Sequence, residues 1–336
     1  MLKKSLLSKV LFVCFLVPSA LIQAAEVNVY SYRQPFLVKP LFDVFTQETG
    51  IKVNVVFAKK GMAERLAREG EHSPADILLT TDISRLVELH DNNLLQTVQS
   101  EILEQAVPEK FQSKDNTWYA LTMRVRNIYS SKRLGNIALN YEDLADPKYK
   151  ARVCTRSGKH PYNVALVSSM IAEHGEEKTL TWLENLKENL ARKPQGSDRG
   201  QVQAIHQNLC DLSLGNSYYF GKMLNDEKQK VWANEVNINF PNQANRGAHV
   251  NISGVAMAKY APNSKNALAL MEFLVSEKAQ QMYAETNMEY PVREGVAVSA
   301  LVSSWGQFKA DELSLETIAK HRKSAIKLLD KAKFDL

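Results

Sequence analysis

Cysteine is scarce in this sequence. Three among 336 residues are too few for a disulfide-stapled scaffold or a multi-cysteine zinc fold. The seven histidines (72, 90, 160, 174, 206, 249 and 321) show no ligand spacing. There is no G-x-S-x-G elbow, no G-x-x-x-x-G-K-[ST] loop and no H-E-x-x-H, so common hydrolase, nucleotide-binding and metalloprotease signatures are missing. Internal repeats, low-complexity runs and Gly/Ser linkers are missing too. Hydrophobic runs are short: Val10–Val17 falls well below the roughly 20 residues of a spanning helix, and no second candidate follows.

That run lies in an expected secretion signal, Met1 to about Ala24. Lys3, Lys4 and Lys9 give a basic start, and Ile22-Gln23-Ala24 is an acceptable cleavage site. Cys14 lies inside the signal, and Phe12-Val13 before it do not suit lipoprotein processing. Removing those three lysines from 42 basic residues leaves 39 against 37 acidic, or +2 where the whole chain carries +5. So balanced a total gives no argument for nucleic acid or an anionic membrane surface.

What is present is an ordinary globular composition, 45% apolar and 24% charged, in a chain of 336 residues that is long enough for two domains. The mature start alternates strand and helix: Val27–Ser31, Phe36–Thr49, Ile51–Phe57, Met62–Glu69, Ala75–Thr80 and Ile83–Asn92. That order predicts a parallel sheet with crossover helices. Trp118–Ser131 interrupts it as a long β-prone stretch with Arg124 and Arg126 in its middle, long enough to pass between domains. A second series follows: a strand about Arg152–Arg156, helices Tyr162–His174, Leu180–Leu190 and Gln201–Asn208, and a strand Leu209–Gly215. Strands Val236–Phe240 and Val250–Ala258, helices Asn263–Val275 and Lys278–Glu285, and an amphipathic tail Leu313–Lys331 complete the chain. The expected architecture is an α/β clamshell with 25–123 plus 250–336 as the first lobe, 124–249 as the second, and the ligand between them. In an exported protein the even pair Cys154 and Cys210 predicts one disulfide, tying two strands that lead into candidate site segments.

Two segments leave a strand and enter a helix carrying tyrosine. In Gly215-Asn216-Ser217-Tyr218-Tyr219-Phe220-Gly221-Lys222-Met223, Ser217 is a plausible N-cap, and the phenols stand at the positive end of a helix, which favours phenolate. In Arg156-Ser157-Gly158-Lys159-His160-Pro161-Tyr162-Asn163, Tyr162 stands near a second N-terminus. An isolated Tyr-Tyr is more often a pair of half-buried aromatics at such a corner. Two tyrosine corners in one lobe admit another reading. Phenolates are hard anionic ligands, three of them neutralise a 3+ ion, and a tyrosine-rich site without cysteine suits iron(III) better than zinc or copper(I). His160, before a proline, reads as a turn residue. Asp76, after Ser73-Pro74-Ala75, reads as structural, while His174 and His206 read as solvated or capping.

Beyond the tyrosines, Val29-Tyr30-Ser31-Tyr32-Arg33, Ser73–Thr80, Cys154-Thr155-Arg156-Ser157-Gly158-Lys159, Ala191-Arg192-Lys193-Pro194-Gln195-Gly196 and Gly215–Tyr219 resemble the periplasmic ferric-iron-binding proteins of ABC importers, bacterial members of the transferrin-like group. The resemblance covers essentially the whole mature chain. It implies a class II periplasmic binding protein, a clamshell with crossing hinge strands. It also implies a periplasmic, non-enzymatic monomer that takes Fe(III) and hands it to an inner-membrane ABC permease. Carried over by position, Tyr162, Tyr218 and Tyr219 fall on metal ligands. Arg124 falls on an arginine facing a synergistic anion, carbonate or bicarbonate, and Arg33 is a second candidate for that role. The sequence departs from many relatives after Arg33. Where they place a His-Tyr pair that reaches the metal, this chain has Gln34-Pro35-Phe36, so the first lobe is expected to supply no strong ligand. Two other readings stay open: a binding protein for a small organic ligand such as a polyamine or phosphonate, and a secreted hydrolase.

Overall fold

The structure is a computed structural model describing residues 25–336; the expected signal, 1–24, lies outside the described residues. Nine strands occur among them: β1 (Glu26–Ser31), β2 (Lys52–Phe57), β3 (Ile77–Thr80), β4 (Trp118–Ser131), β5 (Val153–Cys154), β6 (Leu212–Asn216), β7 (Val236–Asn239), β8 (Val250–Met257) and β9 (Tyr290–Pro291). Their order is β2-β1-β3-β8-β4-β6-β5, with β7 and β9 also on β4. The parallel trio β2-β1-β3 matches the alternation read from the sequence. Between β1 and β2, the helix Pro35–Thr49 buries Val38, Leu41, Phe42 and Phe45 at helical spacing. Burial of such a side chain contributes roughly 1.5–3 kcal/mol. The helix stops at Gly50, whose φ of 73° suits the left-handed cap.

β4 changes partners along its length. Trp118–Val125 pairs antiparallel with β8, and Arg126–Ser130 pairs antiparallel with β6. The change falls between Val125 and Arg126, so Arg124 and Arg126 sit on either side of the crossing. Apolar side chains form one large core from residues between Val27 and Val125 and between Ala248 and Ala319. A second core holds Ile128, Val153, Leu166, Leu183 and Leu214, and a third, small one holds Tyr129, Ile205, Phe220 and Met223. Cys154 and Cys210 are disulfide-bonded with Cα atoms 5.9 Å apart, joining β5 to the turn before β6. Closing a loop of 56 residues contributes about 4 kcal/mol in the chain-entropy account.

Two features differ from the sequence reading. The helices expected at 162–174 and 180–190 are one run, Pro161–Glu188, broken only at Gly175, whose φ of 80° and ψ of 168° a glycine adopts without strain. The tail, expected with the first lobe as part of 250–336, forms two helices, Leu315–Lys320 and Arg322–Lys331. The second of these buries Ala325, Leu328 and Leu329 in the second core. Beyond it, the Asp335 carboxylate accepts from Ser157 Oγ and Gly158 N, both at 2.7 Å, and so holds the turn that leads to Tyr162.

Candidate metal centre

Both tyrosine corners are held by local chemistry. Pro161 opens its helix at the first position, where a missing N–H is harmless. His160 Nδ1 accepts from Tyr162 N at 3.3 Å. Burial, reinforced by Arg156 and Arg126, pulls His160 down to about 4, so it is a neutral acceptor near pH 7. The turn role expected for His160 is thus a helix cap. At the other corner the cap position belongs to Asn216 instead of Ser217, and its side chain makes no capping bond. Ser217 is the first helical residue, and its Oγ accepts from Val125 N on β4 at 3.2 Å. Gly215 is required by close approach: a Cβ there would lie 2.2 Å from Tyr129 Cε2. The Tyr129 hydroxyl donates to Asn216 O at 2.8 Å, pinning the strand end.

A buried polar network joins the two corners. Arg126 donates to Asp198 Oδ2 at 2.7 Å, to Asn216 Oδ1 at 3.1 Å and to Asn163 Oδ1 at 2.6 Å. Asp198 also accepts from Asn216 N at 3.0 Å and Arg156 at 3.2 Å. Asn163 follows Tyr162 and Asn216 precedes Ser217, so one guanidinium ties the side chains beside both corners together. In the sequence Arg126 stands out only as a neighbour of Arg124, and no motif marks Asn163, Asp198 or Asn216 as site residues. Strand period carried a usable signal, because Arg124 and Arg126, two apart on β4, share a face.

The three phenols converge. Tyr162 and Tyr218 hydroxyls are 3.2 Å apart, and the Tyr218 and Tyr219 ring centroids are 4.2 Å apart. All three line a cleft of about 620 Å³ with Arg124, Arg33 and Lys222. Burial, then Tyr162 and Tyr219, hold Tyr218 well above the usual phenol range while Arg124 opposes them. Burial and Tyr162 raise Tyr219 likewise. The helix N-terminus was expected to favour phenolate; desolvation and mutual repulsion outweigh it, and Tyr218 and Tyr219 favour their protonated forms. A trivalent cation reverses that balance, since it attracts the anionic form of each oxygen placed around it.

Arg124 and Arg33 meet at one hydroxyl. Both guanidinium groups donate to Ser253 Oγ, Arg124 at 3.3 Å. Arg33 is ion-paired with Glu289 at 2.9 Å, and both side chains are buried. Burial pushes Glu289 up, but Arg33 and Arg124 outweigh it and hold the carboxyl below its ordinary range. Arg124 donates otherwise to the Thr81 carbonyl, lies 5.6 Å from the Tyr162 ring centroid and has no acidic partner among the described residues. Of the two, Arg124 therefore has the charge to spare for an anion. Gln34 and Phe36 line the first-lobe wall, with Phe36 64% exposed. Among the described residues no group of three or more His, Cys, Asp or Glu is placed to hold a metal. Asp76 is structural, accepting from Asn28 N at 2.7 Å and Asn263 N at 2.6 Å.

Residues 72–310 match the family described as bacterial extracellular solute-binding protein. Iron uptake protein A1 of Synechocystis sp. is 45% identical over 312 residues, which cover 91% of this chain and 87% of that protein. Among solved structures, the apo ferric ion-binding protein A of Pasteurella haemolytica is 54% identical with a TM-score of 0.88, covering 93% of this chain and 99% of that one. A Trichodesmium protein in complex with iron and citrate is 35% identical with a TM-score of 0.89, covering 92% of this chain and 100% of that one. The fold is that of the type II periplasmic binding proteins, two α/β lobes joined through β4, which pairs with β8 on one side of the crossing and with β6 on the other. With more than half its length matched and a relative at 45% identity, the chain belongs to the bacterial extracellular solute-binding proteins.

Proposed function

We propose that the protein captures Fe(III) in the periplasm through Tyr162, Tyr218 and Tyr219 and delivers it, as a monomer, to an inner-membrane ABC permease. It acts by binding rather than catalysis. The observation that carries this reading is the convergence of three phenols on one cleft, with the Tyr162 and Tyr218 oxygens 3.2 Å apart. As phenolates they supply three negative charges and three hard oxygens, matching the charge and hardness of ferric iron. The iron-uptake and ferric-binding names of the relatives support the same cargo. The cleft's basic lining disfavours a polyamine. A phosphonate is the second reading, because that lining would attract it. Ferric salt and bicarbonate added to the desalted protein should produce a visible phenolate-to-iron band that saturates at one iron per chain. Calorimetry with an aminoalkylphosphonate should be silent. No colour, together with heat from the phosphonate, would overturn the reading.

In this mechanism Arg124 holds carbonate or bicarbonate beside the metal, completing the shell where the first lobe offers no strong ligand. A guanidinium can donate two parallel bonds to carbonate, and Arg33 is less suited because Glu289 already offsets its charge. Arg124→Ala should weaken ferric binding ten- to a hundredfold, roughly the 1.5–3 kcal/mol of a charged hydrogen bond, and abolish its bicarbonate dependence. A variant whose bicarbonate response is unchanged would move the role to Arg33.

A further inference from the structure

The last residues of a chain are loose unless something ties them down. Here they are tied to the turn that leads into Tyr162. The tail is seated at both ends by burial, Leu315 and Ile318 in the first core and Leu329 and Phe334 in the second. The helix Arg322–Lys331 closes with bonds from Lys333 N to Asp330 O at 3.0 Å and from Phe334 N to Leu329 O at 3.1 Å. Lys333 takes the left-handed conformation that this closure requires, with φ 48°. The chain thereby turns back, and Phe334 and Asp335 both meet residues just before Tyr162.

Two sets of contacts hold the turn from Ser157 to His160. Within its own segment, Ser157 O accepts from His160 N and from the Asn163 amide, both at 3.1 Å. From the tail, Asp335 accepts from Ser157 Oγ and Gly158 N at 2.7 Å and from Lys159 N at 3.4 Å. Apolar contact is as close: a Cβ on Gly158 would lie 2.7 Å from both Leu329 Cδ2 and Phe334 Cδ1. Lys159 also pairs with Asp330 at 2.5 Å, but both side chains are exposed, and such a pair contributes little. The holding therefore falls to Asp335 and the two apolar side chains. Tyr162 is the second residue of the helix that follows, so a shift of the turn is a shift of its hydroxyl.

Resting on the ferric reading above, we propose that the C-terminal tail is a working part of the metal site, with Asp335 as a positioning residue that places the Tyr162 oxygen through the Ser157–His160 turn. Leu329 and Phe334 seat the turn, and the Asp335 carboxylate orients it. Asp335 is not among the residues that line the cleft; it acts on the ion through Tyr162. The Arg126 network reaches the same segment through Asn163, and the tail reaches it through Ser157, Gly158 and Lys159. A ligand oxygen must be held closely to the geometry its metal needs, by side chains that are themselves fixed. Burial of the tail in two cores makes Asp335 such a support.

The test is ferric affinity by chelator competition, with the visible band recorded for each variant. Asp335→Ala should lower affinity about tenfold, the usual loss when a supporting partner of a metal ligand is removed, and should shift the band. Asp335→Asn, which keeps an acceptor oxygen for Gly158 N, should restore most of the affinity. Ser157→Ala removes one of the same bonds from the other side; it should weaken binding in the same direction and carries the test if Asp335→Ala does not fold. Leu336→Ala, at a residue 77% exposed, should change nothing. In a Tyr162→Phe background, Asp335→Ala should lower affinity by less than about twofold more, because coupled positions are not additive and the oxygen being placed is gone. An equal loss in both backgrounds would make the tail a support of the whole lobe and overturn the positioning role. Unchanged affinity in Asp335→Ala would do the same while leaving the ferric reading intact. Wild-type protein that stays colourless with ferric salt would overturn the ferric reading and the positioning role with it.

Discussion

Tyr162→Phe, Tyr218→Phe and Tyr219→Phe should each weaken ferric binding by more than about a hundredfold, since changing a mere supporting residue of a metal site already costs 10–100-fold. Each substitution keeps the ring and deletes only the oxygen, so the packing of Tyr218 on Tyr219, at 4.2 Å between centroids, survives. Each should also shift the visible band, because the band arises from the phenolates. Tyr32→Phe and Tyr283→Phe should change neither. The Tyr32 hydroxyl is engaged by Met62 N and Ala63 N at 3.1 and 3.3 Å, and Tyr283 is buried behind Arg33. The same chemistry sets the pH response. Burial raises both Tyr218 and Tyr219, which favours their protonated forms, and iron must displace the protons of its phenol ligands. Affinity therefore falls as pH drops, by up to about a thousandfold per pH unit if three protons leave. Chelator competition at pH 6 and 7 measures the slope. A single Tyr→Phe variant should show a slope lower by one proton; a flat profile would mean that the phenols are not the ligands.

Asp198→Asn should cost about 3–5 kcal/mol of folding stability, the usual penalty for leaving one member of a buried ion pair uncompensated. Asp198 is fully buried and Arg126 is 2% exposed, so solvent screens neither. Ferric affinity should fall as well, by about ten- to a hundredfold, because the network no longer fixes Asn163 and Asn216 beside the tyrosines. Arg126→Met combined with Asp198→Leu separates the two effects. Replacing a buried pair with apolar side chains of similar size is often neutral, so the double variant should recover much of the stability and none of the iron affinity. Denaturant midpoints and the visible titration provide both readouts. Recovery of iron affinity along with stability would show that the network supports the fold without positioning the ligands.

Much of this architecture could be read from the sequence, because its local signals agree with its packing. The helix ending at Gly50 and the strand Trp118–Ser131 appear at the residues their patterns mark. Asp76, after its serine and proline, is structural as expected, although it ties the distant Asn28 and Asn263 backbones instead of its own turn. Signals that depend on what lies across the fold were not legible. Nothing local in Leu313–Lys331 says that the tail divides between cores, Leu315 and Ile318 in the first and Leu328 and Leu329 in the second, after which Asp335 meets Ser157 and Gly158. Ser217 has the chemistry of a cap, yet the backbone N–H of Val125 claims its hydroxyl. The pair Arg126–Asp198 is 72 residues apart in sequence and invisible until β4 and the helix at Asp198–His206 are brought together. The helix dipole at the tyrosines was legible. That burial outweighs it was not, because desolvation depends on everything packed around the phenols.

The most direct test of the central claim is anomalous diffraction at the iron edge from crystals of the ferric-loaded protein. One strong peak is expected in the cleft, within bonding reach of the phenol oxygens of Tyr162, Tyr218 and Tyr219 together. A peak bonded to fewer than three of them, or seated against His160, Gln34 or a surface carboxylate, would contradict the account.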